Sequence, residues 1–401
     1  MSFFKKTTLA AAFALTSGSI FAGSHIIIAP ACLVNAANAP VEVMAQSSSM
    51  QLLKVDDAAL EKFSDVKHQT KSACGGFKNV TAAWNKAKPG IHHVKDHQAF
   101  MNAHTFAKPE QAATNSYRIR FENEANQLIS QIQPQQMWDR LKSFSSAKDR
   151  YANSDLGVAA ANWIKSEIET MAKSAGRNDV TVYTVATSGY RQPSVIAKIG
   201  TGNNAGVVIG AHMDTTSSRF ERKPGADDDG SGSMTAMESA RTLISSGAKF
   251  NKPIYFIWYS AEEEGLVGSQ DVVADFQKKN IPVDGVMHFD MTGYAHKGDP
   301  TIWLMEDNVD AGLTAFLEKI VTTYTHQPVD YTRCGYGCSD HASWNDAGYK
   351  AVLPAEARFE NTNPVMHTSR DTIDKLDIKH MTDYAKIAVA FAVEMAEPAA
   401  K

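Results

Sequence analysis

Acidic and imidazole side chains follow directly after three apolar runs in the middle of the chain. These side chains are His212 and Asp214, Glu262 and Glu263, and Asp290. Short apolar runs predict buried parallel strands, and the ligands of open α/β sheets bind just beyond the carboxyl ends of such strands. The side chains are therefore expected to meet at one edge of a sheet, where imidazole and carboxylate groups could together bind a metal ion.

His212 and Asp214 are separated by one residue at the end of a predicted strand, so their side chains point to the same side. The imidazole could bind a metal ion while the carboxylate holds and orients the ring. A histidine packed in the core is the alternative, and this short motif alone does not exclude it.

Three adjacent carboxylates, Asp227, Asp228 and Asp229, lie in a glycine-rich segment before a predicted helix. Neighbouring carboxylates repel one another unless a cation neutralises them, and one of them could bridge two metal ions. A flexible acidic turn at the surface is the alternative.

Glu262 and Glu263 follow a run so apolar that a buried cleft is expected around them. Adjacent residues face different ways, so one carboxylate could bind a metal ion while the other accepts a proton from the attacking water. A solvated acidic turn is the alternative. Asp290 and His367 are weak signals individually, but the sequence offers no catalytic cysteine and no Gly-x-Ser-x-Gly elbow. The whole set therefore favours hydrolysis by zinc over a serine or thiol mechanism.

Strand and helix patterns from residue 135 onward would position these groups. The sequence predicts paired antiparallel strands at residues 180–185 and 194–199, two amphipathic helices before them, and a closing helix at residues 380–396. A further helix starts at the acidic glycine-rich segment. We therefore expect an α/β fold with a mixed, mainly parallel central sheet flanked by helices, preceded by an N-terminal extension.

The first 22 residues have the pattern of a secretory signal. Lys5 and Lys6 precede an apolar stretch at residues 9–15, and Ile20-Phe21-Ala22 partly fits the rule for cleavage. The apolar stretch is shorter than the ~20 residues of a membrane span, and no later run reaches that length. We expect residues 1–22 to be removed and the mature protein to be secreted or periplasmic, without a membrane span.

Composition narrows the class of protein further. The chain has 401 residues, a formal net charge of -4 and 43% apolar residues, which is typical of a globular protein without a strongly basic face. Nucleic acid is therefore excluded as an expected partner. One catalytic domain at residues 132–401 with an N-terminal appendage would fit this length, and we expect a monomer.

Residues 23–131 have a mixed polar composition without regular alternation of strand and helix patterns. We interpret them as a pro-segment that assists folding or inhibits the site until proteolysis, as in a zymogen. A permanent accessory domain is the alternative. His93 and His97 are spaced as two ligands on one helix face would be, but a solvated polar face is favoured because no further ligand pattern lies nearby.

Cys334 and Cys338 are close enough in the sequence to bridge each other, and export from the cytosol would permit the disulfide. A reduced pair or half of a metal site is the alternative.

Six motifs occur in order between residues 135 and 396. They are His212-Met213-Asp214, Gly225-Ala226-Asp227-Asp228-Asp229-Gly230-Ser231-Gly232, Ala261-Glu262-Glu263-Glu264-Gly265-Leu266-Val267-Gly268-Ser269, Phe289-Asp290-Met291, Cys334-Gly335-Tyr336-Gly337-Cys338-Ser339-Asp340-His341 and Met366-His367-Thr368. This set resembles the secreted bacterial leucyl aminopeptidases with two zinc ions. Their metallopeptidase family also includes zinc carboxypeptidases and glutaminyl cyclases.

The resemblance implies two zinc ions per chain and a zinc exopeptidase fold. It implies that Asp228 bridges the two ions. His212 and Asp290 would complete one site, and Glu263 and His367 would complete the other.

The resemblance also implies the roles of residues around the ligands. Glu262 would be the general base, and Asp214 would support the neighbouring histidine. Tyr336 would stabilise the oxyanion of the tetrahedral intermediate, although a packed loop aromatic is the alternative. The peptide bond between Asp228 and Asp229 would be cis.

The implied reaction is hydrolysis of the N-terminal peptide bond of peptides and proteins by metal-activated water. The substrate pocket would include Met291, Phe359 and Met366. Ala355 and Thr362 stand where the relatives tend to carry aromatic residues. The pocket is therefore expected to accept large apolar N-terminal side chains, and long basic ones as well.

Two other functions fit part of this pattern. A relative of the same fold could act on other chain ends or on amides, and a non-catalytic binding protein could retain the fold without the reaction. The disulfide-loop motif favours the aminopeptidase over the former. The complete ligand set with its base favours an enzyme over the latter.

Overall fold

The computed structural model describes residues 23–67, 75–91, 93–105 and 117–399, and the predicted signal peptide at residues 1–22 lies outside these ranges. Within them, no helix is both long enough and apolar enough to cross a membrane. The elements form an N-terminal module, residues 23–105, and a main core that begins at residue 117.

The N-terminal module contains a four-stranded sheet with the order β2-β3-β1-β4 and antiparallel neighbours. Its elements are β1 (Ser24–Pro30), α1 (Ala31–Ala37), β2 (Glu42–Gln46), β3 (Met50–Asp56), α2 (Asp57–Val66), β4 (Lys78–Asn79), α3 (Thr81–Ala87) and α4 (Val94–His104). Because strand side chains alternate, Ile27 in β1 packs against α1 and α2 while Ile28 packs against α3 and α4. The module is therefore more regular than its composition predicted, since a strand that is apolar on both faces gives no alternating pattern.

The main core contains most of the chain. Its helices are α5 (Glu122–Ile129), α6 (Pro134–Phe144), α7 (Asp155–Ser174), α8 (Gly232–Ser245), α9 (Val267–Lys278), α10 (Ala311–Tyr324), α11 (His341–Asp346) and α12 (Ile378–Ala396). Its strands are β5 (Val180–Val185), β6 (Ser194–Ile199), β7 (Gly206–His212), β8 (Ile254–Tyr259), β9 (Val283–Phe289), β10 (Ile302–Met305), β11 (Val329–Thr332), β12 (Ala351–Val352) and β13 (Pro354–Ala355).

The central sheet has six strands in the order β12-β9-β7-β8-β6-β5. Strand β7 lies parallel to β8 and β9, and β9 lies parallel to β12, whereas β6 is antiparallel to both β5 and β8. A second sheet with the order β11-β10-β13 lies beside it. The predicted α/β class with a mixed central sheet is confirmed.

Helices cover both faces of the central sheet. Val207 and Ile209 of β7 pack with α7, α8 and α12, and Val208 packs on the opposite face with α9 and α11. A strand that is buried on both faces needs apolar residues at every position. This requirement explains why the run before His212 is continuous rather than alternating.

Residues 117–131 pack with the main core rather than with the N-terminal module. Ala125 and Leu128 of α5 belong to the main hydrophobic cluster. The backbone N–H of Phe121 donates to Glu394 of α12, and Gln131 accepts at its carbonyl from Arg241 of α8. The packing therefore favours a division between residues 105 and 117 over the predicted one between residues 131 and 132.

Candidate metal centre

The carboxyl ends of β7, β8 and β9 lie side by side, and the predicted ligands extend from this edge. His212 is the last residue of β7, and Asp290 is the first residue after β9. Glu262 and Glu263 follow the end of β8 and are buried. Asp228 reaches the same edge from the turn that precedes α8. Parallel pairing therefore brings together residues that are far apart in the sequence.

Two groups of potential ligands share one carboxylate. In the first group, His212 Nε2 lies 3.2 Å from Asp228 Oδ1 and 3.7 Å from Asp290 Oδ1. In the second, His367 Nε2 lies 2.9 Å from Asp228 Oδ2 and 3.2 Å from Glu263 Oε2. The ligand atoms of each group lie within 4.8 Å of one another. Each oxygen of Asp228 thus faces a different group, which is the arrangement that a bridging carboxylate requires.

The side chains present fit zinc. Each group offers one imidazole nitrogen and two carboxylates, which are ligand types that zinc binds. His212 Nε2 and Asp290 Oδ1 are buried and make no hydrogen bond within the described part of the chain. Buried polar atoms normally have partners, so these two atoms fit a role as metal ligands. The ligand roles that the resemblance implies for His212 and Asp290 stay predictions, and this geometry supports them.

Asp214 supports three of these residues at once. Its Oδ1 lies 3.5 Å from Nδ1 of His212, on the side of the ring away from the ligand nitrogen. The backbone N–H groups of Glu262 and Glu263 donate to the two oxygens of the same carboxylate, at 3.1 and 3.2 Å. Asp214 therefore positions the loop after β8 as well as the histidine, a second contact that the sequence did not predict.

Two further aspartates, Asp229 and Asp371, hold the acidic turn through backbone hydrogen bonds, and Asp371 has no predicted role. Asp371 accepts hydrogen bonds from the backbone N–H groups of Asp227 and Asp228. Asp229 accepts from the backbone N–H groups of His212, Gly232 and Met291, and its peptide bond with Asp228 is cis, as the resemblance implied. No local pattern distinguishes Asp371, because only the folded chain brings its loop to the turn.

Arg150 is a buried cation beneath the acidic turn. Its guanidinium donates to the carbonyl oxygens of Met213, Pro224 and Gly225 at 2.6 to 2.8 Å. Burial lowers the pKa of Arg150 to about 10, although Asp371 and other carboxylates oppose the change. The side chain therefore stays charged at neutral pH and offsets part of the negative charge of the centre.

A lysine of the N-terminal module reaches the predicted base. Lys67 follows α2, and its ammonium lies 2.5 Å from Glu262 Oε2 and 2.9 Å from Glu263 Oε2. Burial would lower the pKa of Lys67, yet these two carboxylates and Asp228 raise it well above its ordinary value. No local pattern predicts this contact, since Lys67 is one of 40 Lys and Arg residues and lies outside any motif.

Tyr336 lies half-buried in the loop that the disulfide between Cys334 and Cys338 closes. The predicted disulfide is thus confirmed. The tyrosine ring contacts Gly76 of the N-terminal module so closely that a Cβ atom on Gly76 would lie 2.7 Å from Tyr336 Cε2. Burial raises the pKa of the Tyr336 hydroxyl, which therefore remains a proton donor at neutral pH.

A small apolar cavity of about 40 Å³ lies beside Asp290. The predicted pocket residues Met291, Phe359 and Met366 line it, and so does Ala355. Asp290 is the one charged residue among those that line the cavity. The cavity thus offers a compact apolar environment next to the first group of ligands.

Known proteins resemble this chain in both sequence and fold. The family model described as Peptidase family M28 matches residues 194–392. The probable leucine aminopeptidase 1 of Trichophyton verrucosum is 36% identical over 306 residues, which covers 73% of this chain and 82% of that protein. These matches lie well above chance and include every predicted ligand within the family model's range.

Two solved structures are similar over both the N-terminal module and the main core. The LapA aminopeptidase of Legionella pneumophila has a TM-score of 0.85 and 41% sequence identity, and the alignment covers 94% of this chain and 99% of that chain. LapB from the same organism has a TM-score of 0.82 and 37% identity, covering 94% and 100%. The shared architecture therefore extends beyond the catalytic part of the chain.

Proposed function

The chain belongs to peptidase family M28, and from this premise we propose that it is a zinc aminopeptidase acting on peptides and proteins with a free N-terminus. Its leucine aminopeptidase relatives support the activity. The observation that carries the proposal is the pair of ligand groups that share Asp228. When bound there, two zinc ions would polarise the scissile carbonyl and activate the attacking water.

Glu262 is the residue that moves the proton. It belongs to neither ligand group, so its carboxylate is available to accept a proton from water and to return it to the leaving amine. Asp214 holds the backbone of Glu262 in place through a hydrogen bond of 3.1 Å. Tyr336, whose hydroxyl keeps its proton, would donate to the oxyanion that forms on the carbonyl oxygen.

The side-chain preference follows from the cavity beside Asp290. A volume of about 40 Å³ suits one compact apolar side chain and leaves little room for a long one. No carboxylate other than that of Asp290 lines the cavity to pair with a basic side chain. We therefore favour apolar N-terminal residues of compact shape, such as Leu, over the long basic residues that the sequence also allowed.

Enlarging the side chain of Ala355 tests this preference. Ala355→Val adds two methyl groups to the cavity wall and is expected to lower the ratio of kcat/KM for Leu over Ala p-nitroanilide by about 10-fold or more. The ratio is insensitive to partial loss of folded protein, because both substrates are assayed on the same sample. An unchanged ratio would place the selective pocket elsewhere.

The activity itself is tested with a free peptide and its N-acetylated form. The protein, freed of the N-terminal module by limited proteolysis, is expected to remove single residues from the free peptide and to leave the acetylated one intact. Chelation should abolish the reaction, and added zinc should restore it. Equal cleavage of the acetylated peptide would instead favour a relative that acts on other bonds.

The location and maturation of the protein belong to the same proposal. The signal pattern at residues 1–22 and the disulfide between Cys334 and Cys338 support secretion or transport to the periplasm. There the chain would act as a monomer on peptides. The N-terminal module would act as a pro-segment that restrains the enzyme until proteolysis.

A further inference from the structure

The ammonium of Lys67 lies between the predicted base and a predicted zinc ligand. It lies 2.5 Å from Glu262 Oε2 and 2.9 Å from Glu263 Oε2. The latter oxygen is the atom of Glu263 that lies 3.2 Å from His367 Nε2. The lysine thus contacts the same Glu263 oxygen that faces His367 in the second ligand group.

Two residues of α2 that precede Lys67, Ser64 and Asp65, anchor this end of the helix to the main core. The hydroxyl of Ser64 in α2 donates to the carbonyl oxygen of Glu263 at 2.6 Å. Asp65 pairs with Lys223 of the main core at 3.0 Å, and the same ammonium donates to the carbonyl oxygen of His367 at 2.5 Å. These contacts link the C-terminal end of α2 to the segments that carry Glu263 and His367. Lys67 therefore extends from a backbone segment that is anchored to the main core, and its position does not depend on its own side-chain contacts alone.

Residues 75–79 of the module also contact the segments that carry the proposed site. The backbone N–H of Asn79 donates to the carbonyl oxygen of Gly265 at 3.0 Å, just after the glutamates. Gly75 and Gly76 lie against Tyr336, and the backbone of Gly76 approaches the ring so closely that a Cβ atom there would lie 2.7 Å from Cε2. The module thus contacts the proposed oxyanion donor, the base and a ligand, which are the groups that a substrate would have to reach.

From these contacts, we propose that Lys67 is a stand-in cation that competes with the second zinc ion. It would hold the intact chain latent by neutralising Glu262 and by taking the Glu263 oxygen away from the group that also contains Asp228 and His367. This inference rests on the proposed function and adds the means of its regulation. A fixed ammonium repels a divalent cation beside it. Docking of the module therefore weakens zinc binding at the second group, and zinc bound there weakens docking of the module.

The opposition is reciprocal by linkage. If Lys67 weakens zinc binding at the second group, then zinc at that group weakens docking of the module by the same factor. The first group, with His212 and Asp290, makes no contact with Lys67 among the ion pairs of the described residues. The intact chain would therefore bind one zinc ion tightly and the other weakly.

The test compares three intact, full-length proteins: the wild type, Lys67→Met and Lys62→Met. Lys62 is an exposed residue of the same helix and provides the matched control. Each protein is stripped with a chelator and titrated with zinc by calorimetry, and Leu p-nitroanilide hydrolysis is measured at saturating zinc. In Lys67→Met, the second zinc ion is expected to bind between about 5-fold and 150-fold more tightly, and the activity of the intact chain should rise. Lys62→Met should match the wild type.

Lys67→Arg keeps the positive charge and should remain latent, so it reports on the contact if Lys67→Met folds poorly. Equal second-site affinity and equal activity in the wild type and a folded Lys67→Met protein would overturn the inference and favour a permanent accessory domain. The wild type cut between the module and the main core separates the two proposals. If the cleaved wild type binds two zinc ions and remains inactive, the proposed function fails. If the cleaved wild type is active but intact Lys67→Met has the zinc affinity and activity of the intact wild type, the inference about Lys67 alone is refuted.

Discussion

Replacement of Glu262 by glutamine is expected to lower kcat by a factor of about 10² to 10⁴, because the amide cannot accept the proton of the attacking water. The zinc content should not change, since Glu262 belongs to neither ligand group. The measurement is single-substrate kinetics with Leu p-nitroanilide together with metal analysis of the same sample. Both proteins are assayed after the same proteolytic removal of the N-terminal module, so that Lys67 does not affect the comparison.

Glu264→Gln is the matched control for this substitution. Glu264 is buried two residues further on and accepts a hydrogen bond from Tyr190, which the oxygen of a glutamine can also accept. Burial raises the pKa of Glu264 to about 8, so near pH 7 its side chain is mainly neutral and resembles the amide. Its activity should stay close to that of the wild type. If Glu264→Gln loses as much activity as Glu262→Gln, or if the latter retains full activity, another residue is the base.

Replacement of Asp228 by asparagine is expected to remove both zinc ions and to lower activity by a factor of at least about 10³. The two oxygens of Asp228 face different ligand groups, at 3.2 Å from His212 Nε2 and 2.9 Å from His367 Nε2. An amide presents one oxygen and one NH₂ group, so one group loses a ligand atom and both lose the negative charge. Metal content by elemental analysis, measured after dialysis against a weak chelator, gives the result directly.

Single-site variants provide the comparison. His212→Gln should affect the first group and His367→Gln the second, so each should retain about one zinc ion if the groups act separately. A bridging role requires that Asp228→Asn lose more metal than either variant. Retention of one ion by Asp228→Asn, equal to His367→Gln, would show that the carboxylate serves one group alone.

Much of the catalytic part could be predicted because its signals are local. The run before His212 is apolar at every position, since a parallel strand covered by helices on both faces requires this. Because β7, β8 and β9 are parallel, their carboxyl ends place His212, Glu263 and Asp290 at one edge of the sheet. The Cys334 to Cys338 spacing likewise determines a short disulfide loop. The fold class, the family and the disulfide are confirmed, and the roles of the individual ligands stay predictions that the geometry supports.

Contacts between distant segments were decided by the tertiary structure alone. Asp371 orders the acidic turn from a loop more than 140 residues away, and Lys67 meets Glu262 across 195 residues of sequence. The residues that neighbour a lysine or an aspartate in the sequence do not differ systematically between a solvated side chain and one buried in an ion pair. No spacing rule therefore distinguishes the two cases. The sequence by itself determined which residues could bind and activate, because strand periodicity and motif spacing are properties of neighbouring residues. Whether the N-terminal module covers them depends on packing between surfaces that become adjacent only when the chain folds.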